Sequence, residues 1–156
     1  TSLKSIIEAV RKVNTRAHFI FTVSPVRHLK DGFTENQRSK AHLVTAVQEI
    51  QELYDSDNHV SYFPAYEIMM DELRDYRFYD SDLVHPNQLA VDYIWERFKG
   101  TYISEEASNV VERVEEIQKG INHKPFFPDS KEHKKFKETL QKKIAYLKKE
   151  HPFIDF

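Results

Sequence analysis

An aspartate and a histidine lie three residues apart in the segment Asp80-Ser81-Asp82-Leu83-Val84-His85-Pro86-Asn87. This spacing puts both side chains on the same side of one turn of backbone, so the carboxylate of Asp82 can accept a hydrogen bond from one imidazole nitrogen of His85. Such a bond fixes the tautomer of the ring and leaves the other nitrogen free to act as a base. Pro86 favours an extended His85 and presets the backbone for the first turn of a following helix. The segment therefore predicts an Asp–His base pair at a helix entrance.

Other interpretations of this segment stay open. The chain has 8 His and 25 acidic residues, so an Asp-x-x-His pattern can arise by chance, and a surface His85 beside an Asp82 that caps the helix would have the same sequence. Asp80, Asp82 and His85 could also bind a hard metal ion, although two carboxylates and one imidazole are a small ligand set. The spacing alone does not choose among these interpretations.

Length, composition and charge exclude several classes of protein. The chain has 156 residues, of which 40% are hydrophobic, enough for one domain with a core. A net charge of −2 gives no reason to expect nucleic acid or an anionic membrane as a partner. The absence of Cys excludes disulfides, thiolate metal sites and a Cys nucleophile. No signal peptide is visible and no apolar run reaches the roughly 18 residues of a membrane span, so we expect a cytoplasmic protein.

Hydrophobic periodicity predicts strands that alternate with helices. The predicted helices cover 2–14, 36–54, 66–74, 87–98, 104–120 and 130–150, and the predicted strands cover 16–23 and 59–63. This order predicts a parallel sheet packed between helices. Two strands alone would leave both edges of such a sheet unpaired, so we expect an upstream segment or a second copy to complete it. The chain begins with Thr1 rather than Met, which fits a piece of a longer polypeptide.

The predicted helices differ in what they contribute. Ser2 is a candidate cap for the first helix, and Gly100 lies near the predicted end of the fourth. In that fourth helix the side chains expected to face inward are Leu89, Ala90, Tyr93, Ile94 and Phe98.

From residue 104 the composition becomes more charged, which predicts an α/β domain over 1–103 and a helical tail over 104–156. The last helix carries a stripe, Phe136, Leu140, Ile144 and Leu147, that we expect to be buried. We expect the lysines of this helix to lie on a solvent-exposed face.

Three motifs, in this order, resemble a known family. They are Thr22-Val23-Ser24-Pro25-Val26-Arg27-His28 after a strand, Asn36 with Ser39-Lys40 at the start of a helix, and Tyr79-Asp80-Ser81-Asp82-Leu83-Val84-His85-Pro86-Asn87. Together they look like the C-terminal part of a bacterial GSCFA domain, a family similar to the SGNH (GDSL-like) ester hydrolases. The resemblance covers roughly residues 1–103. It implies the C-terminal half of a flavodoxin-like three-layer α/β/α sandwich, with a helical C-terminal extension.

The resemblance also implies an activity and its residues. Asp82 and His85 match the acid and the base of a Ser-His-Asp triad. The nucleophile of the family lies in a Gly-Ser-Cys-Phe-Ala motif that this chain lacks, and the oxyanion-hole Gly and Asn blocks cannot be placed either. The implied function is a serine ester hydrolase or acyl transferase that acts on a small-molecule or carbohydrate ester and uses no cofactor. The alternative is a non-catalytic SGNH-like module whose helical tail mediates association.

Three further residues are candidates to line the substrate site. Ser24 ends a predicted strand, where ligands of open α/β sheets bind, although a Ser before Pro is also an ordinary end to a strand. The family pattern puts the nucleophile elsewhere, so a lining role is the better prediction for Ser24 than catalysis. Arg27 and His28 follow on the same loop and could contact a carboxylate, a phosphate or a sugar hydroxyl of the substrate. A solvated loop is equally compatible with this sequence.

Overall fold

A computed structural model describes residues 2–156 as a mixed α/β protein. The chain divides into two compact units, Thr1–Thr101 and Tyr102–Phe156. The helices are α1 (Ser2–Val13), α2 (Phe33–Leu53), α3 (Ala65–Glu67), α4 (Gln88–Tyr102), α5 (Glu105–Asn122) and α6 (Lys131–Glu150). The strands are β1 (Phe19–Thr22) and β2 (Val60–Phe63), and single 3₁₀ turns form at Leu29–Asp31 and Tyr76–Phe78.

The two strands form a parallel sheet, as the alternation of strands and helices predicts. The register pairs Phe19 with Val60, Ile20 with Ser61, Phe21 with Tyr62 and Thr22 with Phe63. The amide of Phe19 donates to the carbonyl of His59 over 2.7 Å. Because peptide groups alternate in direction along a parallel ladder, those of Ile20 and Thr22 face away from β2. Within residues 2–156 the sheet has two strands, and its completion by further strands stays a prediction.

Part of the interior of the first unit is formed by residues on either side of the segment that carries Asp82 and His85. A buried apolar cluster consists of Met69, Leu73, Tyr79 and Ala90, with Met70, Phe78, Tyr93 and Ile94 packed against it. Ala90 belongs to the first turn of α4, and Tyr79 immediately precedes the Asp82/His85 segment. The two ends of that segment are therefore fixed by burial of their neighbours.

Several predicted element boundaries are wrong. Helix α2 begins at Phe33 rather than at residue 36, because Gly32, with φ of 92°, breaks the preceding 3₁₀ turn and lets the helix start at once. Helix α4 continues through Gly100 to Tyr102, since a glycine inside a helix weakens it without ending it. Leu89 was expected to face inward and is 61% exposed. Both strands are shorter than predicted.

The segment predicted as one helix over 66–74 has two backbone geometries. It is α-helical over Ala65–Glu67 and π-helical over Ile68–Leu73. Arg74 ends the π-helical turn in the left-handed conformation, with φ of 45°. Its amide bonds to the carbonyl of Met69, five residues earlier. The wider turn places both Met69 and Leu73 in the buried cluster.

The second unit consists of α5 and α6. The hydroxyls of Ser104 and Ser130 cap the two helices by accepting hydrogen bonds from backbone amides three residues ahead. Leu147 is fully buried, as its place in the predicted stripe requires, but Phe136 is 38% exposed. The prediction that the whole stripe is buried is therefore wrong for Phe136. Of the helices within residues 2–156, none combines the length and the apolar character that a membrane span needs.

Candidate active site

The side chains of Asp82 and His85 are hydrogen-bonded to each other. Nδ1 of His85 lies 2.7 Å from Oδ2 of Asp82. The side chain of His85 is 60% exposed, and among the residues that the structure describes no hydrogen bond to its Nε2 is found. With Asp82 as an acceptor, the neutral ring carries its proton on Nδ1 and presents Nε2 as a base. This is the arrangement that the spacing predicts.

The second carboxylate oxygen of Asp82 fixes the backbone of the turn. Oδ1 accepts hydrogen bonds from the amides of Val84 (2.8 Å) and His85 (3.0 Å). The His85 amide is the main reason that the pKa of Asp82 falls to about 2, and the imidazole and the Val84 amide lower it further. Asp82 therefore stays a carboxylate over the whole range in which His85 could act as a base.

The following helix is capped by a different residue. Oδ1 of Asn87 accepts from the amide of Ala90 (3.1 Å), and Nδ2 of Asn87 donates to the carbonyl of Arg77 (2.6 Å). Among the described residues, the backbone amides that donate to Asp82 are those of Val84 and His85, and both precede α4. The interpretation of Asp82 as the cap of this helix is therefore wrong. Its carboxylate instead bonds two backbone amides of the turn and the imidazole of His85.

Backbone hydrogen bonds close the segment into a loop. Tyr79 and Pro86 form an isolated antiparallel bridge, and the amide of Asp80 donates to the carbonyl of His85 over 2.8 Å. Leu83, at the tip, has φ of 58°, a left-handed conformation that costs about 1 kcal/mol or more for a residue other than glycine. The surrounding bonds hold this conformation, and it lets the amides of the next two residues reach Asp82.

Arg27 joins the loop after β1 to the Asp82/His85 loop. Its amide donates to the carbonyl of Val84 over 3.2 Å, and its Nη1 donates to the carbonyl of Leu83 over 3.1 Å. The guanidinium lies 4.2 Å from the centre of the Tyr79 ring and 5.4 Å from that of Tyr76. Arg27 was predicted to line the substrate site, and the structure gives it a contact with the loop that carries the base.

Ser24 and His28 lie on the same loop, and in residues 2–156 no hydrogen bond joins either of them to Asp82 or to the imidazole of His85. The hydroxyl of Ser24 accepts from the amide of Val26 over 3.2 Å, and no hydrogen bond between Ser24 and His85 occurs in residues 2–156. The amide of His28 donates to Oδ1 of Asn36, and its side chain is exposed. The hydrogen bond to Ser24 therefore stabilises a turn of this loop. A role for Ser24 and His28 in lining the substrate site stays a prediction.

An apolar cavity opens beside His85. Its volume is about 640 Å³, and its lining residues are Ile20, Thr22, Pro25, Val26, Phe63, Ala65, His85, Pro86, Val91, Ile94, Trp95 and Phe98. His85 is the one titratable side chain in that lining. A group bound in this cavity would be recognised chiefly by apolar contact and would meet one titratable side chain, that of His85.

The donor set for a metal is incomplete. Within residues 2–156 no group of three or more His, Cys, Asp or Glu side chains is arranged to hold a metal ion. The carboxylate of Asp80 accepts from the neighbouring amide of Ser81 over 2.7 Å instead of joining Asp82 and His85. The three residues considered as ligands therefore do not converge on one point.

Two buried polar residues of α2 were not predicted to belong to this region. Lys40 is 3% exposed, and Asn36 is also buried. Nζ of Lys40 donates to the carbonyl of Ser24 over 2.5 Å, and Oδ1 of Asn36 accepts from the amide of His28 over 2.8 Å. Their spacing of four residues on a helix was the available signal, because it puts both side chains on one face.

Comparison with protein families gives two matches along the chain. Residues 1–98 match the model of the GSCFA family, and residues 114–156 match the model of the GSCFA domain protein, C-terminal domain. Neither a curated protein nor a solved structure gives a significant match. The first match covers more than half of the chain and includes all three motifs that carry the resemblance. The chain therefore belongs to the GSCFA family.

Proposed function

We propose that this chain supplies the base and its orienting acid to a serine ester hydrolase or acyl transferase of the SGNH type. His85 is the general base and then the general acid, and Asp82 holds its ring. The observation that carries this proposal is the 2.7 Å bond between Nδ1 of His85 and Oδ2 of Asp82, which leaves Nε2 without a hydrogen bond to the described residues. A carboxylate bound to Nδ1 stabilises the imidazolium that forms during proton transfer.

The proposed chemistry runs in two steps. Nε2 of His85 takes the proton of a serine hydroxyl while the serine oxygen bonds to the ester carbon and the carbonyl electrons move to oxygen. When the carbonyl re-forms, the bond to the leaving alcohol breaks, and that alcohol receives the proton from Nε2. A water molecule, or an acceptor alcohol in an acyl transferase, repeats the two transfers on the acyl-enzyme. No metal or organic cofactor takes part.

The nucleophile in this proposal lies outside residues 1–156. The hydroxyl oxygen of Ser24 accepts from the amide of Val26, and no hydrogen bond joins Ser24 to His85 in the described residues. A flavodoxin-like sandwich would place the nucleophile on another strand of the same sheet, and the outward-facing peptide groups of Ile20 and Thr22 offer an edge for such a strand. We propose that an upstream segment completes the sheet there and carries the nucleophile; a second copy of residues 1–156 could cover the edge but would not supply that serine.

Labelling with a fluorophosphonate tests this assignment. Such a probe reacts with a serine that a neighbouring histidine activates. We expect the complete polypeptide to be labelled on one serine outside residues 1–156, and His85→Ala to slow labelling about a hundredfold or more. His42→Ala, an exposed histidine of α2, is the matched control and should label at the normal rate. Labelling on Ser24, or equal rates in both variants, would contradict the proposal.

A non-catalytic role is the second candidate. Phe126 and Phe127 are 96% and 77% exposed in the link between α5 and α6. Adjacent exposed phenylalanines are unusual on a surface that binds nothing, so they favour a second unit that mediates association. If the complete polypeptide is not labelled, and changing both residues to Ser abolishes a self-association seen by sedimentation, this candidate replaces the enzyme.

A further inference from the structure

Lys40 is a buried cation that has no carboxylate partner among the described residues. Its ammonium donates to the carbonyl of Ser24 and lies 5.7 Å from the centre of the Tyr66 ring. Burial lowers the pKa of this group. A buried ammonium that donates to one carbonyl makes the folded protein less stable than an apolar side chain of the same length would. A contribution to global stability is therefore a poor explanation for Lys40.

Asn36 holds the other end of the same loop. Its Oδ1 accepts from the amide of His28, four residues after Ser24. Asn36 and Lys40 lie one turn apart on α2, a helix of 21 residues, so both act from one rigid support. The loop of residues 24–28 is thus attached at its first and last residues to the same face of α2.

The middle of that loop reaches the base pair. Arg27, between the two attachment points, donates through its amide to Val84 and through its guanidinium to Leu83. These are the two residues between Asp82 and His85. A continuous set of hydrogen bonds therefore runs from α2, through the loop of residues 24–28, to the turn that joins the acid to the base.

We propose that Asn36 and Lys40 are positioning residues for the Asp82–His85 pair and act on it through Arg27. This inference rests on the proposed function, because it concerns the geometry of the same pair. Displacing the loop of residues 24–28 moves the carbonyls of Leu83 and Val84. Because each carbonyl shares a peptide group with the next amide, the two amides that donate to Asp82 move as well. Catalytic geometry tolerates displacements of only a fraction of an ångström.

Lys40→Met separates positioning from folding. Methionine keeps the length and the apolar contacts of the buried side chain but leaves the carbonyl of Ser24 without its donor. We expect the melting temperature to change by a few degrees at most, and the ratio of Nδ1–H to Nε2–H tautomer of the His85 ring to fall about threefold or more. In the complete polypeptide kcat should fall about tenfold with little change in KM. Lys30→Met, at an exposed lysine on the next turn, is the control.

A second pair of variants keeps the test decisive if Lys40→Met fails to fold. Asn36→Asp retains the oxygen that accepts from His28, whereas Asn36→Leu has similar volume and no acceptor. The tautomer ratio should stay near normal in Asn36→Asp and fall in Asn36→Leu. It is read from the ¹⁵N shifts of the ring at pH about 9, where an ordinary imidazole is neutral.

The outcomes separate the two proposals. A normal chain whose His85 ring is mainly Nδ1–H, together with unchanged ratios in Lys40→Met and Asn36→Leu, would overturn the positioning role and leave the proposed function intact. A normal chain whose ring is mainly Nε2–H would remove the oriented base itself and overturn both. A fallen ratio at unchanged melting temperature, absent in Lys30→Met, is the result that we expect.

Discussion

The backbone amide of Arg27 donates to the carbonyl of Val84, 3.2 Å away, and so joins two loops that are 57 positions apart in the sequence. One loop follows β1 and the other carries Asp82 and His85. The guanidinium of Arg27 adds a bond to Leu83 and covers the ring of Tyr79. The candidate base is therefore held by the loop that follows β1, and not by its own turn alone.

Removing the Arg27 side chain should loosen this junction. Arg27→Met loses the bond to Leu83 and the contact with Tyr79, and we expect the free energy of unfolding to fall by about 1–2 kcal/mol. Arg27→Lys should recover little of it, since an ammonium lacks the planar fork of donors. Urea unfolding measures both, with Arg38→Met, at an exposed arginine paired with Glu35, as the control. Equal midpoints for Arg27→Met and the normal chain would show that the junction carries no stability.

The low pKa of Asp82 sets a pH window. The ordinary value of 3.8 falls to about 2 in the folded chain, chiefly through the His85 amide. The stability that this carboxylate contributes is fully present above pH 3.8 and is lost as the pH falls from there towards 2. The difference in melting temperature between the normal chain and Asp82→Asn should shrink over that window. A ¹³C titration of the Asp82 carboxyl in the folded chain with a midpoint at the ordinary value would contradict this.

Two glycines inside helices should respond in opposite ways to alanine. A Cβ at Gly100 would meet nothing within 4 Å, so Gly100→Ala should stabilise the protein by about 0.5–1 kcal/mol through helix propensity. A Cβ at Gly120 would lie 2.7 Å from Cδ1 of Leu140, so Leu140 would have to move. We expect Gly120→Ala to be less stable than Gly100→Ala by about 1 kcal/mol or more. Equal effects in thermal melts would mean that α5 and α6 do not pack closely at this point.

Local sequence signals predicted the elements well and their ends poorly. Ser104 and Ser130 cap helices where their sequences place them, because a cap depends only on neighbouring residues. The π-helical turn over Ile68–Leu73 had no such signal, since it depends on burying Met69 and Leu73 in one cluster. Tertiary packing decided that geometry and could not be read from periodicity.

The candidate site also has one part that local sequence predicts and another that depends on tertiary contacts. The Asp82–His85 bond is local, and the three-residue spacing predicts it, although the same spacing also fits a helix cap or a metal ligand set. The role of Arg27 depends on contacts across the chain, and the burial of Lys40 contradicts the usual exposure of lysine. The sequence shows a lysine four residues after an asparagine on an otherwise amphipathic helix. No local signal indicates which face of α2 is buried by other elements.

We propose that Asp82 and His85 act as one catalytic unit. If they do, His85→Ala should lower the turnover of an activated ester by about a thousandfold or more, and Asp82→Asn by as much or less. The double variant should be little worse than His85→Ala, because residues that act as a unit are not additive. His42→Ala and matched melting curves control for folding.

The most direct measurement is the hydrolysis of p-nitrophenyl acetate by the complete polypeptide and by these variants. We expect a large loss of activity in His85→Ala and a loss no greater in Asp82→Asn, with both variants still folded at the temperature of the assay. Full activity in either single variant would contradict it.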